Sequence, residues 1–337
     1  MTTVHSANLS GRDTVEHYIH EYAHQEQVAM MTAWLKKHRP GTFNFTGLVD
    51  PDDATVITPQ ATVDYGYCWF SLSEGPAVVR TPSYRYFFSV SVFDMDHNIP
   101  AVVVHPDRPI VLVRPGQSVP DGDFHIVELE TDQGLVFTRM VVVDNLAEVE
   151  ALRPGIGMEG GDGDMHRPVA RFSPAVEKSA KAIIAAAIPH VDPATAFGRR
   201  STDTGDITRA AAVMLGQLGT PSETVRYVPM LADDDGAPLN GGDTYEVTVP
   251  AGIVRDDGYF SVTVYGADNR LLIPNKQRIY DRTSYTTDLE ADGTAVITLS
   301  PSGGGRNGIP TGKPFYGILR AYQPVRGAQL KPTVRKR

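Results

Sequence analysis

The segment His20-Glu21-Tyr22-Ala23-His24 has the spacing that sets two imidazoles one helical turn apart, where they can ligate zinc while the Glu activates a bound water. Three features of the chain speak against that chemistry. Only 19 residues precede His20, too few for the sheet on which a zinc peptidase lays out its substrate. No Glu falls between Glu26 and Glu74 to act as a nearby third ligand, and the extended pattern H-x-x-G-x-x-H is absent after Glu21. His17, His20 and His24 also lie within an arc of ~60° at ~100° per residue, roughly opposite the apolar stripe. The expectation is therefore a solvated polar face with no metal, and His20 and His24 are the residues that would ligate zinc in the alternative reading as a metallopeptidase.

A second polar set sits near the ends of strand-like segments: Asp64, Tyr65 and Tyr67 in the first half of the chain, and Asn275, Arg278, Tyr280, Asp281, Arg282, Asn307 and Arg320 in the second. Arg offers a rigid fork of donors for carboxylate or phosphate, and Tyr supplies a flat wall and a hydroxyl, so such a set could orient a small organic molecule. In the competing reading Asp281-Arg282 is a local turn or ion pair and Arg320 faces water from a strand. His97 and His105 could move protons, although histidines in loops are more often simply exposed. Gly155-x-Gly157-x-x-Gly160 matches the dinucleotide fingerprint in letters, but it follows Pro154 and runs into Gly161-Asp-Gly163-Asp. It therefore reads as a linker and not as a pyrophosphate cradle. Asp162-Gly-Asp164 lacks the remaining ligands of a calcium loop, and neither a G-x-S-x-G elbow nor a Walker loop occurs.

The elements that must position these residues are mostly strands. Phe87-Phe-Ser-Val-Ser-Val-Phe-Asp-Met-Asp96 returns as Tyr259-Phe-Ser-Val-Thr-Val-Tyr-Gly-Ala-Asp268. Both copies alternate bulky apolar with small hydroxyl residues at period two, as a strand with one buried face does. This pattern predicts two duplicated, jelly-roll-like antiparallel β-domains, mainly β with helices. An N-terminal helix in residues 1–40, from Asp13 to about His38, packs on the first β-domain at 41–152. Residues 153–222 form a Gly/Asp-rich linker and bracing helices, with Ser173-Pro174 and Asp206 as helix starts. The second β-domain occupies 223–326 and a frayed basic tail 327–337. Strand-like runs include 54–57, 65–72, 86–93, 135–143, 259–265 and 315–322, separated by Pro and Gly clusters.

Gly258-Tyr-Phe-Ser-Val-Thr-Val-Tyr-Gly-Ala-Asp268, Leu272-Ile-Pro-Asn275, Tyr280-Asp-Arg-Thr283, Asn307-Gly-Ile-Pro310 and Pro314-Phe-Tyr-Gly-Ile-Leu-Arg-Ala-Tyr322 resemble the domain of unknown function numbered 1214. Thr58-Pro-Gln-Ala-Thr-Val-Asp-Tyr65, Trp69-Phe-Ser-Leu72, Gly75-Pro76 and Tyr86 through Asp94 resemble its usual upstream companion, the domain of unknown function numbered 1254. The resemblance implies two jelly-roll-like domains joined by helices and no settled activity. This chain departs from the pattern at Pro59-Gln60-Ala61-Thr62-Val63-Asp64, where the companion carries Pro-Asn-x-Asp-Thr before its Tyr, and at Gly308, where a Trp is expected. Many relatives carry an export signal that has no counterpart here.

With 337 residues the chain exceeds one typical core. Its net charge of −9 excludes a nucleic-acid backbone as a natural partner. Cys68 stands alone, so no internal disulfide forms, and no stretch approaches the ~20 apolar residues of a membrane span. These observations predict a cytoplasmic protein without cofactor that binds, and in an enzymatic version transforms, a small organic molecule. The alternative is a non-catalytic assembly module acting as a homo-oligomer.

Overall fold

The computed structural model describes residues 13–53, 57–192 and 194–337. The strand expected at 54–57 lies outside them except for Ile57, which sits in a bend. The chain divides into two compact units. Unit 1 holds the residues up to Thr46, then Tyr65–Met140 and Ala147–Pro221; unit 2 holds Gly47–Asp64, Val141–Leu146 and Ser222–Arg337.

Unit 1 opens with helix α1 (Val15–Trp34), whose first turn is capped by the Thr14 hydroxyl accepting the His17 amide. Strands β1 (Asn44–Phe45), β2 (Val63–Ser71), β3 (Ala77–Arg80), β4 (Phe88–Asp94), β5 (Ala101–Val104), β6 (Ile110–Val113), β7 (His125–Glu128) and β8 (Gln133–Val141) follow. Helix α2 (Leu146–Leu152), strand β9 (Gly157–Glu159) and helices α3 (Pro174–Ala187) and α4 (Asp206–Leu215) complete the first half. One sheet runs β1-β2-β8-β4-β5 and a second β7-β6-β3-β9. Ser173 caps α3 through its hydroxyl, as the Ser-Pro pair predicts. Asp206 differs: Gly205 takes the cap position of α4, and the Asp206 carboxylate turns to His20 instead.

Unit 2 contributes β10 (Val225–Met230), β11 (Tyr245–Val249), β12 (Val254–Gly266), β13 (Asp281–Thr283), β14 (Ala295–Ser300), β15 (Ile309–Pro310), β16 (Phe315–Pro324) and β17 (Thr333–Lys336). Its sheets run β10-β16-β12-β13 and β15-β14-β11-β17. Setting aside β1, each strand of unit 2 occupies the place of the strand eight earlier in chain order. The correspondence extends to the pairing sense: β3 with β6 and β11 with β14 are antiparallel, whereas β6 with β7 and β14 with β15 form one parallel pair per unit. The two copies of the repeated segment form β4 and β12 at equivalent positions.

Two segments differ from their expected roles. The Gly-rich stretch after Arg153 supplies β9, an edge strand beside β3. The basic tail supplies β17, an edge strand beside β11 whose Val334 joins the core. Four residues with one buried side chain can pair in an edge strand although their charge suggests fraying. The positive φ values of Gly160 and Gly161 take the chain out of β9 into a turn, not into a helix N-terminus, so the fingerprint letters there hold no phosphate site.

One buried guanidinium lies at the same register in each unit. Arg139 on β8 faces Ser89 of β4, and Arg320 on β16 faces Ser261 of β12, the matching residue of the repeat. Arg139 donates to the Ser91 hydroxyl at 2.9 Å and to the Leu218 carbonyl at 2.6 Å. Arg320 donates to the Thr263 hydroxyl at 3.3 Å and to the Thr58 carbonyl at 2.7 Å. Leu218 and Thr58 both have left-handed backbones, with φ of 62 and 53°. They lie in or beside a further repeat, Thr58-Pro-x-x-Thr-Val-x-Tyr65 and Thr220-Pro-x-x-Thr-Val-x-Tyr227, which leads into β2 and β10. Unit 2 thus includes the segment preceding β2, and unit 1 the segment preceding β10.

If these guanidiniums tie the incoming segments to the sheets, Arg139→Met and Arg320→Met should each destabilise the protein by roughly 1–3 kcal/mol for every buried acceptor left bare. Urea unfolding of the two variants checks this, and wild-type stability in either would remove the tie from that unit.

Candidate functional site

Helix α1 packs on two sides. Tyr18, Tyr22 and Ala23 join Ala180 and Ile184 of α3 and Ala210, Ala211 and Val213 of α4 in one apolar cluster. Val28 and Met31 join Trp69, Phe93, Leu135 and Phe137 of the five-stranded sheet in another. The polar side of the helix is only in part the solvated face that its arc of histidines suggests: His20 is exposed, whereas its neighbours on that side are not. Glu21 is 3% exposed and His24 7%. Together with His20 they line a cavity of about 370 Å³ in unit 1, whose wall also includes Asp96, Asp132 and Arg209.

The groups in this wall have distinct states. His24 Nδ1 lies 3.0 Å from Asp96 Oδ1 and Nε2 2.8 Å from the Pro168 carbonyl. Both partners only accept, so both ring nitrogens carry protons and His24 is an imidazolium with no lone pair for a metal. Burial alone would lower its pKa; the hydrogen bond and charge of Asp96, the Pro168 carbonyl and Glu21 outweigh it and hold the group above its ordinary 6.5. His20 Nδ1 lies 2.9 Å from Asp206 Oδ2. A carboxylate there accepts Nδ1–H and so orients the ring. Glu21 Oε1 is 3.8 Å from His17, while its Oε2 is buried and has no hydrogen-bond partner among the described residues. Among the described residues no group of three or more His, Cys, Asp or Glu side chains comes together to hold a metal.

The other residues singled out from the sequence are dispersed. Asp281 and Arg320 do meet, in a buried network of unit 2 centred on Gln60. Asp281 accepts from Gln60 at 2.8 Å and from Thr62 at 2.9 Å, while Gln60 Oε1 accepts from Ser261, Thr263 and Arg320. Burial pushes Asp281 up to about 6, against the pull of Thr62, Arg320 and Arg282. Arg320, expected to face water, is 4% exposed. Tyr280 packs in an apolar cluster with Tyr265 and Leu272, and Arg282 donates to the Gly308 carbonyl. Asn275 and Asn307 brace turns through backbone groups at Ile273, Ile279, Asp288 and Val296. Arg278 is an exposed turn residue with φ of 55°. Asp64 is buried and accepts the Gly47 amide. In unit 1 Tyr65 stacks on Phe137 and Tyr67 lies against Trp34. These side chains hold turns and cores together, and none of them lines the unit 1 cavity.

His97 is a buried acceptor, not an exposed loop residue. Its Nε2 receives the Leu218 amide, and burial, aided by the charge of Arg209, pushes its pKa down to about 4. His105 rests edge-on against Phe87. Sequence reasoning missed Asp96, Asp132, Arg209 and Asp206 as members of a site. The signal that pointed near them is H-E-x-x-H, whose spacing marks the stretch of α1 that faces the cavity.

A helix-buttressed β-unit followed by a second β-unit of matching topology defines the class of this molecule. Residues 40–160 match the family described as protein of unknown function DUF1254, and residues 224–326 match protein of unknown function DUF1214. The chain therefore carries a DUF1254 domain followed by a DUF1214 domain. None of the curated proteins compared with it matches. Among solved structures it is similar to the VPA0106 protein from Vibrio parahaemolyticus, with a TM-score of 0.75 and 19% identity over 96% of this chain and 98% of the other. It is also similar to an uncharacterised protein from Burkholderia cenocepacia, with a TM-score of 0.55 and 15% identity over 94% of this chain and 87% of the other. At such identities the likeness is one of fold. No helix among the described residues is long and apolar enough to cross a membrane.

The His24 ion pair has a defined pH signature. A folded imidazole with a raised pKa adds stability that is fully present below the unfolded value and is lost as pH rises through the folded one. The stability difference between wild type and His24→Gln should therefore be largest below about pH 6.5 and shrink as the pH is raised above it. Denaturant titrations on either side of that pH measure it, and a constant difference would mean that His24 is not charged.

Proposed function

We propose that the cavity of unit 1 binds a small organic molecule and that the protein works through this binding. The observation that carries the reading is Glu21. A carboxylate oxygen buried in a cavity wall without a hydrogen-bond partner is costly to maintain, and a bound molecule that donates to it removes the cost. Two further features support the reading. A volume of about 370 Å³ suits a metabolite-sized ligand, and His20, oriented by Asp206, stands in the same wall.

We further propose that the two units descend from one duplicated, jelly-roll-like domain. The strand correspondence, the two repeated segments and the matching arginines support this history. On this view unit 1 became a binding domain by acquiring α1, α3 and α4, while unit 2 kept the sheets without those helices.

A thermal-shift screen of the full chain against a metabolite library tests the binding reading. A ligand at a hundredfold excess over its Kd stabilises by about 2.7 kcal/mol, readily seen as a rise in Tm. Hits should disappear in Ser201→Trp, which places an indole at the exposed cavity rim while leaving the Ser201 backbone contacts in place. Hits that persist in that variant would put the binding elsewhere.

A further inference from the structure

We infer that the molecule bound in the unit 1 cavity is a small organic cation, such as a protonated amine, whose N–H groups meet Glu21. The inference rests on the reading that this cavity is a binding site, and it adds the charge of the ligand. The cavity wall holds four carboxylates, Glu21, Asp96, Glu130 and Asp132, against the guanidinium of Arg209 and the imidazoles of His20, His24 and His166, of which His20 is paired with Asp206.

His24 and Arg209 already have partners. His24 gives one N–H to Asp96 and the other to the Pro168 carbonyl. Arg209 donates to the Ser201 and Thr204 carbonyls at 2.6 and 2.9 Å, and its other terminal nitrogen lies 3.9 Å from Asp206. Asp96 is the carboxylate that His24 neutralises. Glu130 receives only the Ser201 amide at 2.9 Å. An anionic ligand entering this wall would compete with these partners for the cations and would face the field of the remaining carboxylates.

Glu21 supplies the independent sign of a ligand. It is 3% exposed, lines the cavity and has no partner for Oε2 among the described residues. A carboxylate oxygen in that state calls for a donor, and a charged donor makes the stronger bond. A metal ion would need several such groups converging on one point, and no such group forms among the described residues. A cavity of about 370 Å³ leaves room for a carbon skeleton around the charged nitrogen.

The test uses the full chain, with ethanolamine, putrescine and agmatine as cationic probes, and ethylene glycol, butanediol and glutarate as neutral and anionic counterparts. Calorimetry and thermal shift should show saturable binding of at least one amine and none of the counterparts. Affinity should fall roughly tenfold or more in Glu21→Gln, with a smaller loss in Asp132→Asn, both variants being checked for native circular dichroism. If Glu21→Gln fails to fold, Asp132→Asn and Ser201→Trp carry the test. Amine binding that is indifferent to these substitutions overturns the inference, as does the absence of amine binding. Binding of glutarate or butanediol that Ser201→Trp abolishes would overturn the cation while leaving the cavity as a ligand site. Silence of the whole metabolite library together with the amines would overturn both.

Discussion

Each unit depends on a guanidinium held inside a sheet. A buried Arg must find acceptors for its donors, and Arg139 and Arg320 find them in a hydroxyl on the neighbouring strand and in the carbonyl of a left-handed residue on a segment from outside the sheet. The requirement fixes three things at once: the register of β4 against β8 and of β12 against β16, the position of the incoming segment, and the backbone turn that presents its carbonyl. In unit 2 the same guanidinium also reaches Gln60, which gathers Ser261, Thr263 and Asp281 into one network. Asp281 stays buried there because donors surround it. Polar residues that resemble a ligand site in sequence are consumed in this way by the architecture.

The cavity arises from a different constraint. A helix with one apolar face leaves its opposite side in water, but α1 is gripped by α3 and α4 on one side and by the five-stranded sheet on another. The strip between the two contacts becomes the wall of a concavity, and the polar residues on it acquire partners. His24 is charged because Asp96 and the Pro168 carbonyl flank it, and His20 is oriented because α4 begins with Asp206.

Much of the fold was legible in the sequence. Period-two alternation marks β4 and β12 without reference to contacts, the repeat gives their equivalence, and Ser173-Pro174 marks the start of α3. The edge strands β9 and β17 were not legible, since three or four residues rich in Gly or charge carry too little pattern and form only because a neighbouring strand offers free hydrogen-bonding groups. The cavity was least legible. Its wall draws on α1, the turn at Asp96, the loop at 130–133, His166, Ser201 and α4, and no local spacing records that such distant segments converge. H-E-x-x-H pointed to the right turn of helix with the wrong chemistry, because ring state depends on tertiary neighbours that a motif does not contain.

The order in which strands are joined bears on how the chain is made. In unit 2 the inner strand β11 pairs with β17, and Val334 enters the core, so this sheet stays open until the ribosome has released residues near Lys336. Unit 1 waits likewise for Leu218, whose carbonyl receives Arg139. During translation, then, β11 keeps a bare edge until β17 emerges and Arg139 lacks its backbone acceptor until Leu218 does, the condition under which holding chaperones matter most.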